Sequence, residues 1–184
     1  MPSKSLKKEA LLPQLLEIFR TIGYEAASLS KISELTGLGK ASLYHHFPNG
    51  KQQMIEEVLV FVENWMHENV FFVLRSEDKP ENKLEKMCNA LNGLYNGGKS
   101  ACLIGALTYS EILNQNLSKL KNTLEIWQKD LEAVFIEAGK TKEESKDLAE
   151  EVLVKVQGSL VISKAQNKKA VFTRQLQKIR DLVA

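Results

Sequence analysis

Cysteine is scarce in this 184-residue chain, which holds only Cys88 and Cys102. Two thiols cannot build a disulfide framework, and in a reducing compartment both are expected to stay free. Long apolar runs are missing too. Nothing approaches the roughly 20 residues that a membrane span requires, and the opening stretch MPSKSLKKEA lacks the apolar core of a signal peptide. Together these absences predict a cytoplasmic protein with no membrane partner. Histidine occurs three times. His45 and His46 are adjacent and so point to different sides of a helix, and His67 lies far along the next helix. None has a cysteine or acidic partner at ligand spacing, so no metal is expected. No nucleophile with a base and no paired acids can be assembled, which argues against an enzyme and against a cofactor. The run NGGKS at Asn96–Ser100 resembles a phosphate loop only superficially, because G-x-x-x-x-G-K-[ST] and a preceding strand are both lacking.

What is present describes an ordinary globule. Hydrophobic residues make up 43% and charged residues 26%, and the length suffices for one or two domains with a real core. Net charge is +2 and unevenly spread. Residues 1–51 carry Lys4, Lys7, Lys8, Arg20, Lys31, Lys40 and Lys51 against Glu9, Glu17, Glu25 and Glu34, a balance of +3 that leaves −1 for the remainder. A basic end joined to a neutral remainder is the electrostatic bias of a compact DNA-binding module with a sensor.

The stretch Ser28–Lys51, SLSKISELTGLGKASLYHHFPNGK, reads as two short helices joined by a tight turn and followed at once by a third. Ile32 and Leu35 fall on one face of the first, Gly37 supplies the turn at positive φ, and Leu38, Leu43 and Phe47 complete the apolar interior. Ser28 is the expected N-cap. The second helix presents Lys40, Ala41, Ser42, Tyr44 and His45 outward, a set of side chains suited to a major groove. Lys51 stands within a residue or two of the next helix start, after Asn49 and Gly50 as candidate caps. A cation there opposes the helix dipole, and a bound phosphate would resolve the conflict.

From Gly23 to Met54 these residues resemble the DNA-binding signature of the TetR family of bacterial repressors: Gly-Tyr closing a first helix, a capped helix, the turn glycine, Leu-Tyr, Phe, then Lys opening a long fourth helix. The sequence departs from the pattern at Gly39, where Ser is usual, at Ala41, where Gly is usual, and in FPNGK, one residue longer than the commoner F-x-S-K, a trait of a subgroup. The resemblance implies DNA contacts from Ser28, Lys40, Ala41, Ser42, Tyr44, His45 and Lys51, with Tyr44 and Lys51 on phosphate. It covers a domain of residues 6–66, with the helix-turn-helix at about 29–48.

The rest reads as all-α, about nine helices in total. The first helix carries Leu12, Leu15, Leu16 and Phe19, and Pro13 predicts that it starts near Leu11 or kinks, leaving the three N-terminal lysines beyond it. The longest helix runs from Lys51 to about Leu74. A polar break at Ser76–Pro80 precedes a helix through Tyr95, and a further helix is expected from Ala101 or Cys102 to about Leu113. Residues 118–138 form the next, ended by Gly139. Thr141-Lys142-Glu143-Glu144 is a capping box for the penultimate helix, with Leu148, Val152, Val156 and Leu160, and the last carries Val171, Phe172, Leu176, Ile179 and Leu182. Residues 67–184 are the expected regulatory and dimerisation domain.

In proteins resembling the TetR family the last two long helices form a four-helix bundle with a second subunit. Leu148, Val152, Val156, Leu160, Phe172, Leu176 and Ile179 are therefore the expected dimer interface, with Gly158 and Ser159 allowing close approach, and a homodimer on a (pseudo)palindromic double-stranded DNA operator follows. The family's second half encloses a small-molecule inducer. Phe61, Trp65, Met66, Met87, Leu91, Cys102, Leu103, Leu107, Tyr109 and Trp127 are the candidate lining, within a helical stripe that also serves as core. Cys102, in a first helical turn near Lys99, offers an alternative as a redox or electrophile sensor. A third reading is a helical interaction module without DNA binding. The expected function is thus a DNA-binding transcriptional regulator, a repressor released by a small apolar or aromatic ligand.

Overall fold

The computed structural model describes residues 8–107 and 110–183, apart from the side chains of residues 111, 113 and 115. These residues form nine helices and no strand. Helix α1 is Lys8–Ala26, α2 Leu29–Thr36, α3 Lys40–His46, and α4 Gly50–Met66, which continues through a π turn at His67–Phe71 and a last turn at Phe72–Leu74. Then follow α5 (Pro80–Leu94), α6 (Leu103–Leu107), α7 (Glu111–Glu137), α8 (Lys142–Gln166) and α9 (Ala170–Arg180).

Local chemistry sets most of the boundaries. Pro80 opens α5 at its first turn, where the missing N–H costs no hydrogen bond. At the start of α8 the capping box forms: Glu144 N donates to Thr141 Oγ1 at 3.2 Å and Thr141 N donates to Glu144 Oε2 at 2.8 Å. Three boundaries differ from the sequence reading. Helix α1 begins at Lys8 and runs through Pro13, so Lys8 lies inside it, paired with Glu57 at 2.6 Å and set over the Phe47 ring. Tertiary contacts to α4 thus offset the bond that Pro13 removes. The helix expected to reach Leu113 is interrupted before then, since Ser110 is the extended N-cap of α7, which starts at Glu111 rather than 118.

Two cores organise the packing. The first gathers Leu15, Phe19, Ile32, Leu43, Phe47 and Val58 from α1–α4, and adds Leu103, Leu107, Ile112 and Leu120 from beyond residue 66. The second is built from α4 through α9 around Phe71, Trp127, Phe135 and Phe172. Helix α6 therefore belongs to both halves, with Leu103 and Leu107 facing the helix-turn-helix core while Ile104 also touches the second. Leu35 does not join the interior as its spacing proposed. It is 49% exposed, because Ile32 alone fills the contact face of the short α2.

The predicted dimer residues require a correction. Val152, Val156, Leu160, Phe172, Leu176 and Ile179 are all buried within the chain's own second core, and Leu148 packs partly against it. Helices α7 and α9 take up that side of α8, so among these residues only Leu148 keeps surface there. Ser159 turns inward with them. The outward side of α8 carries a different apolar stripe, Val154, Gly158, Val161 and Ile162, of which Val161 is 67% exposed.

Candidate functional site

Helices α2 and α3 are held in register by a small set of polar bonds. Ser28 Oγ accepts from Lys31 N at 3.2 Å and caps α2. Gly37, at φ 71, ends α2 in the left-handed conformation. Ser33 Oγ donates to Leu38 O at 2.6 Å, and Thr36 Oγ1 donates to Ile32 O at 2.7 Å while accepting from Leu38 N at 3.4 Å. Reading the sequence for apolar spacing passed over Ser33 and Thr36, yet hydroxyls flanking a turn glycine are the residues that satisfy its orphan backbone groups. Gly39 caps α3 without a side chain.

Helix α3 is anchored by Leu43, which is fully buried, and by Phe47 just after its end. Lys40, Ala41, Ser42, Tyr44 and His45 are all exposed, and Ser28 is exposed beside them. The His45 and His46 rings meet edge to face with centroids 5.4 Å apart, and His46 packs in turn against Phe47. The structure thus brings six of the seven candidate DNA-binding residues to the solvent-facing side of one three-helix unit.

Lys51, the seventh, is half-buried and engaged within the chain. Its Nζ donates to Tyr24 O at 2.9 Å and lies 4.0 Å from the Tyr24 ring centroid. The carbonyl end of α1 and a π face therefore stabilise the ammonium, so no anion is required to explain its position. An ammonium has three donors, and one is used here. The extra residue in FPNGK also finds its reason. Gly50 N donates to Phe47 O at 2.8 Å, closing a turn in which Gly50 adopts φ 65, a conformation disfavoured for residues with a Cβ. Asn49 makes no side-chain cap, and Gln53 Oε1 instead accepts from Asn49 N at 3.0 Å. The Tyr24 hydroxyl is held above its ordinary pKa by burial and by Glu25 and Glu56.

The candidate ligand residues separate into groups. Met66, Cys102, Leu103 and Trp127 line one small cavity between α4, α6, α7 and α8, together with Leu59, Val62, Leu120 and Leu124 and with Glu63, Lys119, Thr123 and Gln157 at its polar edge. Its volume is about 50 Å³, far below the roughly 300–1,000 Å³ of small-molecule sites, so helices must part before a ligand enters. Phe61 and Trp65 are half-buried and pack against the first and second core respectively. Met87 and Leu91 are buried in the second core without reaching the cavity, and Trp127 Nε1 donates to Met87 Sδ at 3.5 Å. Leu107 is turned to the helix-turn-helix core instead, since α6 packs against both cores and presents Leu107 to the first. Tyr109 lies outside the described residues, as do Lys4 and Lys7.

The two thiols differ in their surroundings. Burial pushes Cys88 up to about 11, and its Sγ donates to Leu176 O at 3.6 Å. Cys102 is 8% exposed and accepts from the Tyr95 hydroxyl at 3.8 Å. Tyr95 is itself held far above its ordinary value, mainly by burial and then by Cys102. Among the described residues no three metal-ligating side chains cluster, and no helix is long and apolar enough to cross a membrane.

Comparison with known proteins follows the same division. Residues 8–58 match the model of the bacterial regulatory proteins of the tetR family. The HTH-type transcriptional regulator YxaF of Bacillus subtilis is 36% identical over 61 residues, 33% of this chain and 32% of that protein. The HTH-type transcriptional repressor KstR2 of Mycolicibacterium smegmatis is 32% identical over 78 residues, 42% of this chain and 38% of that protein. The matched stretch thus spans about a third of the length of these curated relatives. The fold match reaches further: a TetR transcriptional regulator from Legionella pneumophila superposes over 100% of both chains with a TM-score of 0.81 at 21% identity. The first helices thus carry the sequence signature of the tetR family of bacterial regulatory proteins, and the chain as a whole has the fold of TetR regulators of known structure.

Proposed function

We propose that the protein is a dimeric, sequence-specific DNA-binding transcriptional regulator of the cytoplasm, a repressor that a small apolar or aromatic ligand releases from its operator. One observation carries the DNA-binding part: the whole outward face of α3, Lys40, Ala41, Ser42, Tyr44 and His45, is free of the chain while Leu43 and Phe47 fix its orientation. Lys40 and His45 are the proposed base readers, with Ser28, Tyr44 and the unused donors of Lys51 on phosphate. Residues 6–66 would act as the reading head and 67–184 as the responding half.

Helix α8 supports the dimer. Apolar residues lie on both of its sides, one covered by α7 and α9 and the other, Val154, Gly158, Val161 and Ile162, uncovered. An exposed apolar stripe of this kind marks an interaction surface, and a second copy related by a two-fold axis is the occupant that also supplies a second α3 one turn of DNA away. Ligand response is supported by the small cavity beside Trp127. Its walls include α4, which carries the reading head, and Leu103, shared with the helix-turn-helix core. Opening that cavity displaces the two halves relative to each other. A thiol switch at Cys102 has narrower support, in the position of its side chain on the cavity wall.

The test is operator affinity of the full-length protein, on a site selected from random DNA, with and without a panel of apolar compounds. A selected palindromic site with at least 10³-fold preference over random DNA is expected. Enrichment of no sequence would overturn the reading.

A further inference from the structure

One concavity of the described residues is an open groove of about 620 Å³, and it differs from the small cavity beside Trp127 in position and chemistry. Its walls come from both halves of the molecule: Arg20 and Gly23 of α1, Gly105 and Ala106 of α6, and Gly158 and Lys164 of α8. The small residues leave the space open, and the lining is mostly apolar. Among the described residues its only charged side chains are Arg20 and Lys164, both cationic.

These two cations are not equivalent. Arg20 is nearly buried, bonded to the Glu17 carboxylate and donating through Nη1 to Leu94 O at 3.0 Å, so its charge is matched and its orientation fixed. Lys164 is exposed and has no carboxylate partner among the described residues. An apolar trough with one unmatched ammonium at its edge complements a molecule of opposite design, an apolar body bearing one negative charge. Cys102 and Gln157 line both the groove and the small cavity beside Trp127. They form the partition between them, and the Tyr95 hydroxyl, bonded to Cys102 Sγ, stands behind it.

We propose that this groove is a binding site for a small apolar carboxylate, whose charge is held by Lys164 and whose body lies across Gly105 and Ala106 toward the Cys102–Gln157 partition. Occupancy bears on α1 and α6 at once, and Gly23 and Ala106 are already close there, a Cβ on Gly23 falling 4.0 Å from Ala106 O. The ligand therefore acts at the seam between the reading head and the remainder. This deepens the ligand-responsive reading above and rests on it only for the effect on DNA. A second copy seated on α8 shares Gly158 and Val161 with the groove and would form its far wall.

The probes are octanoate and 1-octanol, equal in apolar length and different in charge, titrated calorimetrically into the full-length protein. Octanoate should bind at least tenfold more tightly than 1-octanol, and Lys164→Gln should remove that difference, the fold-change matching one charge-assisted hydrogen bond. Gly105→Leu should abolish binding of both by filling the trough. Its Cβ falls 3.9 Å from Cys102 Cβ, an ordinary contact, and an unchanged melting temperature checks that the fold is kept. Equal affinity for the two probes, no effect of Lys164→Gln, or no binding of octanoate at millimolar concentration would each overturn the site. Operator affinity measured in parallel separates the two claims. Octanoate that binds as described without weakening DNA binding would keep the site and contradict its role as inducer. Octanoate that releases DNA from Gly105→Leu would contradict the site and keep the inducer reading.

Discussion

Leu160 and Val161 are neighbours in sequence with opposite surroundings, 2% and 67% exposed, and replacing each by aspartate should produce two different failures. At Leu160 the change removes a core side chain and buries a carboxylate among Val156, Phe172 and Leu176. Losing the leucine alone costs about 2–5 kcal/mol, and an unpaired buried charge adds several more. That sum is a large fraction of a total stability of about 5–15 kcal/mol. At about 2–4 °C per kcal/mol for a chain of this size, the melting temperature should fall by at least ~10 °C, or the variant should fail to fold. Val161→Asp lies on the outer stripe and should leave the isolated chain within about 0.5 kcal/mol of the parent. In the dimer it removes roughly 1.5 kcal/mol of apolar burial at each of two symmetric positions, about 3 kcal/mol in all, which raises the dimer dissociation constant about a hundredfold. Circular dichroism melts and sedimentation equilibrium measure the two effects independently. A Val161→Asp variant that stays dimeric would refute the outer stripe as the interface, and a Leu160→Asp variant with unchanged melting would refute its place in the core.

Three further expectations follow from single contacts. Gly98 adopts φ 88 and a Cβ there would fall 2.6 Å from Phe172 Cβ, so Gly98→Ala should cost roughly 2–4 kcal/mol from overpacking and strain together, read in a urea melt; a cost under 0.5 kcal/mol would show that the loop and α9 do not touch as described. Glu144 is held below its ordinary carboxyl value by the hydrogen bonds from Thr141, a lowered folded pKa whose stabilisation is present above about pH 4.5 and is lost as pH falls through the folded value. Glu144→Gln should therefore flatten the acid limb of the stability curve between pH 5 and 3, and an unaltered limb would contradict the capping box. Cys102 borders the open groove while Cys88 is buried with its thiol near 11, so a thiol reagent at pH 8 should label one site per chain, lost in Cys102→Ser; labelling retained in that variant would reverse the assignment.

The helix-turn-helix was legible because its signals are local. A cap at Ser28, a glycine at the turn and anchors at Leu43 and Phe47 each follow from a few neighbouring residues. Leu35 misled because an eight-residue helix touches its neighbours through one turn, and spacing alone cannot say where that contact ends. Helix α8 misled for a different reason. Its inward residues Val152, Val156 and Leu160 are more regular than its outward ones, and a sequence does not reveal which apolar face the chain itself covers. Lys51 was read as a cation in want of an anion, and its actual partner, Tyr24 O, lies 27 residues away. The groove was invisible altogether, since it arises where glycine and alanine from three separated helices leave space.

The central claim, that α3 reads bases while Lys51 holds backbone, is tested most directly by equilibrium binding at three salt concentrations on a selected operator and on random DNA. Lys40→Ala and His45→Ala should each cost about 1–3 kcal/mol on the operator and much less on random DNA. Lys51→Ala should weaken both alike and lower the salt slope by about 1 per subunit, with a small loss of thermal stability from the freed Tyr24 carbonyl. Equal losses on the two DNAs for the Lys40 and His45 variants would contradict base reading by this helix.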